Sequence, residues 1–318
     1  MTSKNQNSDN LSKGDIISFL AIILMGVLVF FGVNFQSLGD KIQSVVVSVV
    51  LVVFLTVFIF LAGFARGQNR NQSTWKTIEY SMIALYLVAL IPTYLYISKF
   101  FDIQFDKAEI AEQATKDMDD INKMFVKYDK LCQSRCYGYQ TALKAMSMDS
   151  QGRSKIANML GINAESISDK TIKQASEIFL NKLRGDEYSL LKTELTSLDN
   201  NVVSHFKNWN IILVPQYASE LGEAKAKFAK SLEQIYNNNK NSVEKNIPEF
   251  DIADLSDSDD NIAERFQKMT TFSLLGLLAA LVLGGLGFSK YIFSTKRTVI
   301  EFKEGDTSVI NDDGGFAF

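Results

Sequence analysis

The sequence predicts an all-α, polytopic membrane protein with four transmembrane helices and a large extracytoplasmic helical bundle inserted between helices 3 and 4. Three observations predict it. Four long runs are almost free of formal charge. A polar stretch, residues 99–271, separates the third run from the fourth. Within that stretch apolar residues recur at helical spacing, and no convincing strand pattern appears.

Residues 1–14 are polar and rich in Asn and Ser, and are expected to form a disordered cytoplasmic leader. The first run, 16–35, and the second, 45–65, each hold about 20 uncharged residues, enough to cross a hydrocarbon core of roughly 30 Å. The second is rich in β-branched residues, which suit a strand in water. In lipid a lone segment satisfies its own backbone only as a helix. No small-x-small cleavage site follows the first run before Gln36, so it is read as retained rather than as a signal peptide. The third run, 80–98, carries Pro92, expected to kink it, and Tyr80, Tyr86, Tyr94 and Tyr96, which suit an interface or a helix contact. The fourth, 272–293, ends with Lys290 placed to snorkel.

Basic residues set the expected orientation. Lys4, Lys13, Arg66, Arg70, Lys76, Lys290, Lys296, Arg297 and Lys303 fall on one side. Lys41, Lys99, Lys107, Lys116, Arg265 and Lys268 fall on the other. The short loops weigh the same way, so both termini are expected in the cytoplasm and the bundle outside the inner (plasma) membrane. The tail, 294–318, is read as short and cytoplasmic, with a candidate edge strand at 298–302.

In the polar stretch, Ala111, Ala114, Met118, Ile121, Phe125, Tyr128 and Cys132 step by 3 and 4, a heptad seam. It serves either a bundle helix of this chain or an intermolecular coiled coil. A break is expected near 102–106. A second helix is expected over 169–184, with Ser168 or Asp169 as its cap and Gly185 as its end. Tyr188, Leu191, Leu195 and Leu198 mark a third, short helix. Leu221, Ala224, Phe228, Leu232 and Ile235 mark a fourth, and residues 264–271 lead helically into the last run. Between them, residues 208–215 form an apolar patch around Trp209, read either as a buried bend or as a partner or ligand contact.

Candidate chemistry is sparse. Cys132 and Cys136, four residues apart, could bridge in an oxidising compartment only if the helix were distorted, for example by an end near Gly138. Otherwise they are free thiols, and the spacing is not that of a thioredoxin-like motif. His205 lies beside Phe206 with no triad or zinc partners in view. Asp251, Asp254, Asp257, Asp259 and Asp260 crowd one loop, but a calcium loop would need a glycine that is missing and a Glu where Lys268 stands. No metal, cofactor or enzymatic activity is therefore expected. The net charge of −3 does not suit nucleic acid. In the last run Gly276, Ala280 and Gly284 form a small-residue helix-packing face.

The expected function is a non-enzymatic inner-membrane subunit, an assembly or receptor-like component. Its bundle would bind an envelope protein or ligand, and its partners would be the lipid bilayer and either another protein or further copies of itself. The alternative is an oligomeric channel or pore with Ser48, Thr56 and Thr93 along its path.

Overall fold

The structure, a computed structural model, describes residues 13–68, 72–239, 250, 262–268 and 272–293. In chain order its helices are α1 (Lys13–Gln36), α2 (Lys41–Arg66), α3 (Gln72–Phe105), α4 (Lys107–Met146), α5 (Ser150–Leu160), α6 (Asp169–Leu183), α7 (Asp186–Lys207), α8 (Val214–Asn238), α9 (Ile262–Gln267), α10 (Leu274–Gly287) and α11 (Ser289–Phe293), with a 3₁₀ turn at Ala164–Ser166. Among the described residues no strand occurs. Four segments are long and apolar enough to cross a membrane: α1, α2, α3, and α10 with α11. The aspartate loop around Asp257, the tail and residues 1–12 lie outside the described residues.

The differences from expectation have local causes. Lys13 and Gly14, assigned to the leader, already belong to α1. Pro92 sits inside α3, which runs on past the expected end at 98 to Phe105. The expected break narrows to one residue, Asp106 (φ −89°, ψ 7°), whose N–H still reaches Asp102 O at 3.1 Å. The third bundle helix is not short: α7 holds 22 residues, because Val202 and Phe206 extend its buried stripe. Helix α5 was not foreseen. It buries only Gly152, Ile156 and Ala157 and so has little periodic signal, but Asp149 caps it by accepting from Gly152 N at 2.5 Å. Ser168 caps α6 as expected, accepting from Thr171 N; α6 closes with Arg184 as its C-cap, and Gly185 just beyond it also holds the N-cap position of α7.

The chain divides into two compact units. The first holds described residues 13–24, 51–68, 72–91 and 281–293. In it α11 is fastened to three other helices at consecutive residues. Ser289 Oγ donates to Gly14 O on α1 at 2.9 Å, and Lys290 pairs with Asp15 beside it. Tyr291 OH donates to Glu79 Oε1 on α3 at 2.7 Å, while its carbonyl accepts from Arg66 Nη1 on α2 at 2.6 Å.

The second unit holds residues 25–50, 92–239, 250, 262–268 and 272–280. Its centre is the stripe of α4. Ala114, Met118, Ile121, Phe125, Tyr128 and Cys132 are all buried there, with Ala111 half-buried at the margin. Helices α6, α7 and α8 pack around that stripe, so the heptad seam is covered within the chain. Aromatic rings fill the middle: Phe228 meets Phe125 edge-on at 5.3 Å, and Tyr128 stacks on Tyr188 at 5.0 Å. Arg135, 2% exposed, donates to Tyr236 O at 3.0 Å and Asn239 O at 2.6 Å. A buried guanidinium thus ends α8, satisfying carbonyls that a helix terminus leaves open.

Because Phe228 is fully buried in this ring cluster, Phe228→Ala is expected to lower unfolding stability by about 3–5 kcal/mol. Denaturant titration in detergent, followed by the helical circular dichroism of the bundle, measures it. A loss under about 1 kcal/mol would show that Phe228 does not organise the core.

Candidate functional site

The residues with the most pronounced polar geometry lie where the bundle meets α3, and all belong to the second unit. Lys99, 5% exposed, extends its ammonium to two main-chain carbonyls of the return segment, Arg265 O at 2.9 Å and Lys268 O at 2.6 Å. Helix α9 is too short to stand alone. Its last carbonyls need donors, and a lysine from α3 supplies them. Arg265 reaches back to the junction of α3 and α4, with Nη2 on Asp106 Oδ2 and Nη1 on Glu109 Oε1, both at 2.8 Å.

Magnitudes decide which contact anchors α9. Arg265, Asp106 and Glu109 are each more than a third exposed, so solvent screens their ion pairs and these add little stability. Phe266 is fully buried and meets Phe35 of α1 edge-on at 5.5 Å. Burying such a ring is worth about 1.5–3 kcal/mol. Phe266 therefore outweighs the exposed Arg265 pairs and, with the buried Lys99 contacts, holds α9, while the exposed charges fix its direction. Arg265 also holds the Glu109 carboxyl below the usual carboxylate range, first by hydrogen bond and then by charge. The stabilisation that this gives is present above pH 4.5 and fades as the pH falls through Glu109's lowered value.

Beside this brace, the turn between α7 and α8 touches the ends of α1 and α3. Trp209, at φ +48°, donates its Nε1–H to Gln104 Oε1 at 3.1 Å, and Asn34 Nδ2 donates to Ile212 O at 3.3 Å. Trp209 is half-buried against the core, so residues 208–215 make a packed bend.

Cys132 and Cys136 are both free. α4 passes through Gly138 without ending, so the distortion that a bridge requires is missing. Cys132 is buried in the core, and Cys136 donates its S–H to Ser176 O at 3.2 Å. His205 stacks on Tyr217 at 4.6 Å. Among the described residues no group of three His, Cys, Asp or Glu side chains could hold a metal ion.

The small-residue face lies against α3. A Cβ at Gly276 would come within 2.5 Å of Ser98 Cα, and one at Gly284 within 3.1 Å of Leu90 Cδ1. Ala280, between them, is buried. One turn further on, Gly287 lets the Tyr86 hydroxyl approach closely enough to donate to Gly284 O at 3.0 Å. The brace was not anticipated. Lys99, Asp106, Glu109 and Arg265 are far apart in sequence, and the break near Asp106 was its one hint. Comparison with family models, curated proteins and solved structures returns no match. The arrangement holds elements in place; it groups no nucleophile with a base.

Burial lifts the Cys132 thiol from 9.0 to about 11. With its folded value raised, the thiol adds stability that is full below pH 9.0 and lost as the pH rises through about 11. At pH 8 in a Cys136→Ser variant, maleimide labelling of folded protein is expected to run about 100-fold slower than labelling in denaturant. Equal rates would place Cys132 outside the core.

Proposed function

We propose that this chain is a non-enzymatic subunit of the inner membrane, with its bundle on the extracytoplasmic side, where it binds an envelope protein or ligand. The observation that carries the reading is the joining of bundle to apolar helix. α3 passes into α4 through Asp106 alone, and the return segment is fastened to that same junction by Lys99 and Arg265. A load on the bundle reaches α3 and the chain leading to α10 together. A flexible tether would need none of these contacts. Exposed apolar side chains on the bundle, Val126 and Tyr137 on α4 and Leu190 on α7, suit contact with a protein. The basic residues beside the apolar runs support an outward-facing bundle. The pore reading draws less support, because the small-residue face it would use for assembly lies against α3.

Two measurements test this. In a background without native cysteines, Ser189→Cys on α7 should react with an impermeant maleimide added to spheroplasts. Thr74→Cys on α3 should react only after permeabilisation, and the reverse pattern would invert the protein. Purification of the full chain in mild detergent should recover a stoichiometric envelope protein or ligand with it. A clean monomer would contradict the binding role.

A further inference from the structure

Beside α2, within the first unit, a groove of about 910 Å³ is bounded by Thr56, Phe60, Gly63, Phe64, Lys290 and Phe293. That is the size of a small-molecule site. Three phenylalanine rings make its walls. Gly63 lies on its floor beside Lys290: a Cβ there would stand 3.5–3.8 Å from the nearest Lys290 atoms, in ordinary contact, so a longer side chain would enter the groove. At one end stands Lys290, its side chain 25% exposed, its Nζ 5.0 Å above the Phe60 ring centre and paired with Asp15. An ammonium has three donors, so this pair leaves it donor capacity. Helix α2 is also the least covered of the four apolar segments, with 22% of its window buried against 44% for α1.

Where the Phe60 and Phe64 walls face the hydrocarbon of a bilayer, an apolar chain rather than water is the favourable occupant. The uncharged runs of a second copy, 16–35, 45–65, 80–98 and 272–293, carry no acidic side chain to set against Lys290, whereas an anionic headgroup brings one charge to it. An amphiphile with one anionic group satisfies both ends of the groove. We propose that it holds a phospholipid, with an acyl chain along Phe60 and Phe64 and the phosphate against Lys290. Cationic pockets between membrane helices bind such headgroups through the same chemistry.

The test is lipid extraction and native mass spectrometry of the full chain after exhaustive washing in mild detergent. Phospholipid is expected to stay bound in roughly equimolar amount, and Gly63→Leu, which fills the groove, should lower retention by about fivefold or more. The bundle's thermal unfolding should not move, since Gly63 belongs to the first unit and the bundle core to the second. Diacylglycerol with the same chains should fail to displace the bound lipid. Lys290→Gln should weaken retention and Lys290→Arg restore it. Recovery of detergent alone, unchanged retention in Gly63→Leu, or equal competition by diacylglycerol would each overturn the assignment.

Discussion

Lys99 makes the contact on which the arrangement turns. A polar insertion between two apolar helices must leave α3 and come back beside it, and the returning chain needs a fixed place. Helix α9 spans only Ile262–Gln267 and cannot nucleate by itself. Phe266 gives it a buried anchor on Phe35, and the Lys99 ammonium closes its open carbonyls. Exit and return are thereby held at one point, and Arg265 sets the angle through Asp106 and Glu109. Without that fastening the bundle would keep its core but lose its defined attachment.

The same device recurs at two other covered helix ends. Arg135 closes α8, and Arg66 takes the Tyr291 carbonyl on α11 while lying 4.4 Å over the Tyr291 ring. In each case a cation from one helix meets the negative end or an open carbonyl of another. Such contacts add modest energy but forbid sliding. Apolar packing alone, which is non-directional, would tolerate a shift. The Gly276–Ser98 approach limits sliding in a different way, through backbone shape, within the second unit.

The parts legible in the sequence were those written as periodic patterns. The seam from Ala111 to Cys132 identified α4, and the long uncharged runs identified the four apolar segments, because burial and lipid both impose composition on every turn. The Leu221–Ile235 stripe placed α8 for the same reason. The fastenings were illegible. Lys99, Arg265, Arg66 and Lys290 looked like charges that merely weigh on orientation, since one cation carries no period and its partner carbonyl belongs to no residue type. Helix α5 was hidden because it is written in caps rather than in a stripe. A bridge between Cys132 and Cys136 needs a distortion near Gly138, but Tyr139 and Leu143 continue the buried stripe of α4 and carry the helix through.

Hydrogen exchange over residues 262–268, compared between the native chain and Lys99→Met, tests the central claim most directly. In the native chain the main-chain N–H groups of Arg265–Lys268 should be protected as strongly as those of α8. In Lys99→Met they should exchange faster while α4 and α8 keep their protection. Rapid exchange at 262–268 in the native chain, or no change in the variant, would contradict an attachment fixed at Lys99.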